Sequence, residues 1–157
     1  MITINTFNKL TGQETLHPLV CIADLTNDNL VSDINSPCNF YALLCNEGKL
    51  RFVIPGETYR IPSQSNKRIF GYTGVLFHPD LLCDTPLENE ITNFVCKCNC
   101  NKKLCVSDRK MIHNCLDLIA NELEHPIDRY SSIIIASQIE LLLNYCTRCC
   151  RRATIIE

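Results

Sequence analysis

Four cysteines close together in the second half of the chain are the residues whose type best suits a metal ion. They are Cys96, Cys98, Cys100 and Cys105, and zinc prefers four nitrogen or sulfur ligands in a tetrahedron. Structural zinc sites mostly place two residues between paired cysteines, whereas the first three cysteines here alternate with other residues. We expect a strand from Ile91 to Cys98, and alternate side chains of a strand lie about 6.5–7 Å apart, too far to share one ion without a bend. The spacing therefore favours core or surface thiols over the alternative, a zinc-binding or redox protein.

The chain holds twelve cysteines in all, an unusual number for its length. The first seven residues lack the basic region and apolar core of a secretory signal peptide, so we expect a cytoplasmic protein with reduced thiols. Cys149 and Cys150 are neighbours in a predicted helix, where their side chains diverge, and this geometry disfavours a disulfide between them. Most of the other cysteines are expected to behave as small buried hydrophobic residues.

Residue types that serve in catalysis are present, but not in catalytic patterns. The four histidines stand at positions 17, 78, 113 and 125, and no two of them form a His-x-His pair. His78 is followed by Pro79 and has no nearby serine or cysteine in a strand-turn-helix setting. The five glycines are scattered singly, so no phosphate-binding loop is present. We therefore expect neither an enzyme nor a bound cofactor.

Composition narrows the remaining functions. A chain of 157 residues with 46% hydrophobic and 20% charged residues is typical of one globular domain with its own core. The formal net charge of −2 gives no sign of broad phosphate neutralisation. Arg148, Arg151 and Arg152 are expected to form a solvated helix end rather than a nucleic-acid site. The apolar run at residues 133–136 is far too short to span a bilayer, so we expect no membrane partner.

The secondary-structure elements that must position these residues are mainly strands in the N-terminal part of the chain and helices in the C-terminal part, with the change near Ser107. Short apolar runs bounded by turn residues are typical of strands. The runs on either side of Gly48 predict a hairpin, and Pro55–Gly56 predicts the turn that closes its second strand. Gly74 within the last run before the helices indicates a bulge or a close backbone approach. The expected extended segments are 19–23, 39–45, 50–54, 59–61, 69–77 and 91–98.

Two helices are predicted in the back half. Ser107 is a suitable N-cap for the first, which runs to about Glu124 because His125–Pro126 disfavours continuation. The second runs from about Asp128 to Arg151. Both have apolar residues with a 3.6-residue period, which is typical of helices that bury one face. Strands followed by helices in one small chain predict an α+β domain.

Several segments resemble the N-terminal sensing and dimerisation domain of bacterial AraC-type transcriptional regulators. The resemblance covers roughly residues 15 to 153, in the order and spacing of that family. The segments that carry it are His17-Pro18-Leu19-Val20, Pro55-Gly56, residues 71–82, Leu104 to Ser107, residues 121–124 and, most strongly, Ser137-Gln138-Ile139-Glu140-Leu141-Leu142-Leu143-Asn144-Tyr145-Cys146.

This resemblance implies a cupin-like β-barrel or jelly roll followed by two antiparallel α-helices. Residues 1–106 would form the barrel region that senses a small-molecule effector, and residues 107–157 the helical region that makes a homodimer. The parent protein would bind DNA and control transcription through two helix-turn-helix units beyond Glu157, which this sequence does not contain. A metal-dependent cupin enzyme is disfavoured, because His113 and His125 belong to the helical region and cannot point into a barrel.

Site residues follow from the same expectation. Aromatic side chains facing the barrel interior would line the effector pocket, and an equally good alternative is that they fill a small barrel completely. Apolar residues on one stripe of the second helix would pair with their copies across a two-fold axis. The candidates are Tyr41, Phe52, Tyr59, Tyr72 and Phe77 for the pocket, and Ile135, Ile139, Leu142, Leu143 and Cys146 for the interface.

Overall fold

The structure, a computed structural model, describes residues 1–24, 34–46, 49–61, 73–98 and 104–155. In chain order the described elements are α1 (Ile4–Thr11), β1 (Val20–Asp24), β2 (Ile34–Pro37), β3 (Tyr41–Asn46), β4 (Lys49–Val53), β5 (Thr58–Ile61), β6 (Thr73–Phe77), α2 (Leu87–Cys98), α3 (Val106–Leu123) and α4 (Ser131–Ile155). A short 3-10 turn at Pro79–Leu82 connects β6 to α2.

Four strands form the central sheet, which is antiparallel throughout and has the order β1-β6-β3-β4. β2 and β5 pair separately as a two-stranded antiparallel sheet. The strands are rich in β-branched and other apolar residues, and side chains alternate between the two faces of the sheet. Both faces of the central sheet are covered, so alternate residues enter two different cores.

The larger core lies between the central sheet and α2, α3 and α4. In β1 Val20 enters it, and in β6 Val75 and Phe77 do so from alternate positions. The helices contribute stripes with helical spacing, such as Ile112, Cys115 and Ile119 of α3. Burial of these stripes against the sheet is what holds the helices in place.

The smaller core lies on the opposite face of the sheet, where α1 covers Cys21, Leu76 and their neighbours. Phe7 of α1 packs edge-on against Phe40, with the ring centroids 6.5 Å apart. α1 begins at an N-cap, Thr3, whose hydroxyl accepts a hydrogen bond from the Thr6 N–H at 3.1 Å. The protein is therefore layered, with α1 on one face of the sheet and three helices on the other.

Gly74 confirms the predicted close approach of two backbones. A Cβ at this position would lie 2.0 Å from the carbonyl oxygen of Leu43 on β3, a distance at which atoms overlap. Pro55–Gly56 follows β4 as predicted, and Gly56 has a φ of +89°, which residues with a side chain rarely adopt. Gly74 is thus needed because there is no space for a side chain, whereas Gly56 is needed because of its backbone angle.

The segment from Ile91 to Cys98, predicted as a strand, belongs instead to helix α2. The alternating cysteines suggested a two-residue period, but Leu87, Ile91 and Phe94 have helical spacing and pack in or against the larger core. The first C-terminal helix also begins earlier than predicted, because Cys105 rather than Ser107 is its N-cap. Helix α1 was not predicted at all.

The predicted α+β class is confirmed, as are the two helices of the back half, α3 and α4, which pack against each other. In the part of the chain that is described, the four-stranded sheet is open, with β1 and β4 at its edges. No helix among the described residues combines the length and apolar character needed to cross a membrane. The proposed boundary between residues 106 and 107 stays a prediction, although α1 and α2 both lie on the N-terminal side of it.

Candidate functional site

Three of the five predicted pocket residues form an aromatic cluster on the face of the sheet that meets the helices. The rings of Tyr41 and Phe77 stack with centroids 5.3 Å apart, and Tyr41 meets Phe52 edge-on at 6.0 Å. The strand register explains this, because Tyr41 lies opposite Phe77 and Phe52 lies opposite Leu43 two positions further along β3. The sheet therefore brings together aromatic residues that are far apart in the sequence.

This cluster is part of the larger core rather than the wall of an open cavity. Phe52 is 2% exposed and Phe77 is 0% exposed, and only Tyr41 is partly accessible. Their partners on the other side are helical side chains, so they face the helices and not the space on the α1 side of the sheet. Tyr59 lies in β5, and the fifth candidate, Tyr72, lies outside the described residues.

The strand spacing that argued against a zinc site does not hold in the structure. Cys96 and Cys98 are in helix α2, so the spacing expected of a strand does not apply to them. Cys100 lies outside the described residues. Cys105 is exposed at the start of α3, where its sulfur accepts a hydrogen bond from the Asp108 N–H at 3.4 Å. Within the described residues, no three histidine, cysteine, aspartate or glutamate side chains are grouped as metal ligands.

Most of the cysteines that the structure describes behave as predicted, as small core residues. Seven free cysteines are buried, and Cys149 and Cys150 are among them. Burial raises the pKa of the Cys21 thiol to about 12, and burial also raises the pKa of Cys115. Thiols of this kind stay protonated near neutral pH and are poor nucleophiles or metal ligands.

The five predicted interface residues on α4 are core residues of the protomer itself. Ile139, Leu142, Leu143 and Cys146 are completely buried, and Ile135 is 1% exposed. They pack in the larger core with the sheet and with α3, so they cannot meet a second copy while the protomer keeps this fold. The apolar stripe was located correctly, but the surface it covers is the protein's own sheet.

The opposite face of α4 is apolar in its N-terminal half. Ile134 is 40% exposed and Leu141, two helical turns later, is 42% exposed. Tyr130 precedes the helix in line with this stripe, and Ile133 lies beside it, both exposed as well. Between Tyr130 and Leu141 this line of residues along the helix contains no charged residue, since Ser137 occupies the remaining position. We call Tyr130, Ile134, Ser137 and Leu141 the outer stripe of α4.

The described residues form a cleft at the free edge of β1, where the lining residue Val20 lies opposite Phe77 of the aromatic cluster. Its volume is about 160 Å³. One side is the segment after α1, the floor is β1, and the other side is the C-terminal end of α3. The lining residues are Gln13, Glu14, Leu16, Val20, Cys21, Ile22, Ala120, Leu123 and Glu124.

The wall that follows α1 is held in place by hydrogen bonds from a buried asparagine. The Asn8 side-chain amide donates to the Thr15 hydroxyl at 3.1 Å, and the Asn8 carbonyl accepts from the Gln13 N–H at 2.8 Å. Thr15 in turn donates to the Asn5 side-chain oxygen at 3.2 Å. Asn8 itself is completely buried. The segment at residues 13–16 therefore has a defined position relative to β1.

Sequence reasoning did not find this cleft. Its residues come from three separate segments, and their types, two glutamates and a glutamine among small and apolar residues, form no motif. The one signal that the sequence offers is the spacing of Ile4, Phe7, Asn8 and Thr11, which is typical of the buried face of a helix. Because two of these four residues are polar, the helical pattern is hard to recognise.

Comparisons with known proteins add no relationship. No protein-family model matches the chain, and no curated protein matches it.

Proposed function

We propose that these residues form the sensing and dimerisation domain of an AraC-type transcriptional regulator. The sequence resemblance over roughly residues 15 to 153 is the source of this proposal. The structural observation that supports it is the order of the elements. Antiparallel strands, paired β1 with β6, β2 with β5 and β3 with β4, are followed by the helices α3 and α4, which pack against each other. DNA binding in such a regulator belongs to helix-turn-helix units outside these 157 residues.

The strand pairing supports the finer fold, a cupin-like jelly roll. β1 pairs with β6, β2 with β5, and β3 with β4. Such nested pairing arises when one long hairpin is wound on itself, which is how a jelly roll distributes its strands between two antiparallel sheets. The division into β1-β6-β3-β4 and β2-β5 is the arrangement this winding produces with six strands.

A homodimer through the outer stripe of α4 is the second part of the proposal. Helix α4 buries Ile139 and Leu142 on one face and exposes Ile134 and Leu141 on the other, and exposed apolar residues grouped on one face are typical of a protein–protein contact. In a two-fold interface the same patch faces itself, so a stripe without charge meets no like charge across the axis. A second copy of this chain therefore suits the outer stripe.

The mass of the native protein tests this proposal. We expect native mass spectrometry to show a metal-free species of twice 17.9 kDa, and the double variant Ile134→Glu/Leu141→Glu to show a folded monomer. Val106→Glu is a matched control, since Val106 is 72% exposed at the other end of the helical pair, and it should leave the dimer intact. Ile139→Glu should instead unfold the protomer, because it buries an unpaired charge.

Two outcomes would contradict the proposal. A monomer at all concentrations up to about 100 μM, well above the dissociation constants of stable homodimers, would remove the dimerisation function. A monomer carrying one zinc ion would favour the thiol-rich alternative and make the likeness to the regulators one of fold alone.

A further inference from the structure

We propose that the cleft at the free edge of β1 binds a small organic cation, a primary amine with a compact apolar body. This goes beyond the regulatory function proposed above, because none of the nine lining residues belongs to the aromatic cluster or to the outer stripe of α4. Binding there can be measured whether or not the chain dimerises.

The size and lining of the cleft determine the apolar part of the ligand. A volume of about 160 Å³ is close to that of an engineered apolar cavity that binds benzene. Leu16, Ile22 and Leu123 offer aliphatic surface to such a body, and Ala120 leaves room for it on the α3 side. The ligand is thus about as large as one six-membered ring.

The charges of the cleft determine the polar part of the ligand. Glu14 comes from the segment after α1 and Glu124 from the end of α3, so two exposed glutamates from separate elements line the same cleft. No lysine, arginine or histidine is among the nine residues that line it. Within the described part of the chain, neither carboxylate takes part in an ion pair. An ammonium group has the complementary charge and three hydrogens to donate.

The edge of β1 supplies further acceptors for that ammonium group. The His78 N–H donates to the Leu19 carbonyl at 2.8 Å, which makes these two residues a hydrogen-bonded pair of the β1–β6 ladder. Since such pairs alternate along antiparallel strands, Val20 and Ile22 direct their N–H and C=O groups away from β6. β1 is an edge strand of the described sheet, and both residues line the cleft. Their carbonyl oxygens therefore lie along the free edge of β1, which borders the cleft.

Benzylamine and benzyl alcohol form a matched pair of probes, because they have nearly the same shape and only the amine is charged at neutral pH. We expect ¹H–¹⁵N correlation spectra of the intact chain to shift at the lining residues with a benzylamine Kd of about 1–10 mM, as ligands of this size allow. Benzyl alcohol should bind at least about fivefold more weakly, since it lacks the ion pairs.

Variants separate the two parts of the site. Glu14→Gln/Glu124→Gln should weaken benzylamine binding about tenfold, because two exposed ion pairs each contribute a few-fold, and should leave benzyl alcohol unchanged. Glu90→Gln on α2, an exposed glutamate away from the cleft, is the control and should change neither. Ala120→Phe should abolish binding of both probes by filling the space. The dimer-breaking variant Ile134→Glu/Leu141→Glu should retain benzylamine binding.

The proposal would be overturned by equal affinity for the two probes, by shifts centred elsewhere in the protein, or by no saturable shift up to about 50 mM benzylamine, a concentration that exceeds the expected Kd. None of these outcomes would affect the proposed dimer, and a monomeric protein that binds benzylamine would retain the cleft while losing the regulatory proposal.

Discussion

Gly74 of β6 lies close to the backbone of β3, and the absence of a side chain permits that approach. We expect Gly74→Ala to destabilise the protein by about 3 kcal/mol, since the methyl group would meet a strand backbone that cannot move independently. Gly56→Ala has open space around it and only an unfavourable φ, so it should cost about 1–2 kcal/mol. Urea unfolding of both variants checks this. Equal costs would mean that the two strands are further apart than described.

His17 links stability to pH at the start of β1. It is buried, its Nδ1 accepts the Leu19 N–H at 3.0 Å, and burial lowers the pKa of the imidazole below its ordinary value of 6.5. The unfolded chain therefore binds a proton more readily than the folded one, so this contribution to stability is complete above about pH 6.5 and is lost as the pH falls.

The corresponding experiment is urea unfolding at pH 7.5 and pH 5. We expect the wild type to lose stability at the lower pH and His17→Asn, which keeps an acceptor oxygen but does not titrate, to lose less. If the variant and the wild type lose the same amount, groups other than His17 control the acid response.

Helix α3 allows a test of where an element begins. Its N-cap is Cys105, a weak sulfur acceptor, and Ser107 lies within the first turn. Cys105→Ser should raise the free energy of unfolding by about 0.5–1 kcal/mol, because a hydroxyl is a better cap than a thiol. Ser107→Ala should be neutral or slightly stabilising, since alanine favours the helix interior. Thermal unfolding of the two variants decides the matter, and a loss of stability in Ser107→Ala would restore Ser107 as the cap.

The elements that could be predicted from sequence are those whose apolar period is clear. The hairpin of β3 and β4, the turn at Pro55–Gly56 and both C-terminal helices have such periods or turn residues. α2 was misassigned because cysteines alternate at its end, and α1 was missed because Asn8 and Thr11 form half of its buried face. Local patterns also do not say which face of α4 meets its own sheet when both faces are apolar.

The candidate site was less predictable than the fold. An aromatic cluster could be expected from residue types, but its side of the sheet depends on register, which is set by pairing between distant strands. The cleft at β1 depends on how α1 and α3 are placed at one sheet edge, and no local spacing specifies that. Sites formed by tertiary packing leave little trace in a single sequence.

At the scale of the whole molecule, the sheet separates two cores that should act independently. Phe7→Leu removes volume from the smaller core and Ile139→Val from the larger one, and each should cost about 1 kcal/mol. Because the sheet lies between the two sites, the double variant should equal the sum within about 0.5 kcal/mol.

A second double-mutant cycle serves as the comparison. Tyr41→Leu and Phe77→Leu disrupt rings that stack at 5.3 Å, so these two should show a coupling of about 0.5–1.5 kcal/mol. Chemical denaturation of the four single and two double variants measures both cycles. Strong coupling between Phe7 and Ile139 would show that the two cores rearrange together.

The position of β6 between β1 and β3 has a consequence for synthesis on the ribosome. β3 and β4 can form their hairpin as soon as both have emerged, but β1 has no described partner in the central sheet until β6 has followed. The last strand must then insert between two earlier ones, with Val20 and Tyr41 both pairing with Phe77. Pairings this distant along the chain form slowly, so the nascent chain would expose the apolar faces of β1 and β3 until residues 73–77 leave the exit tunnel.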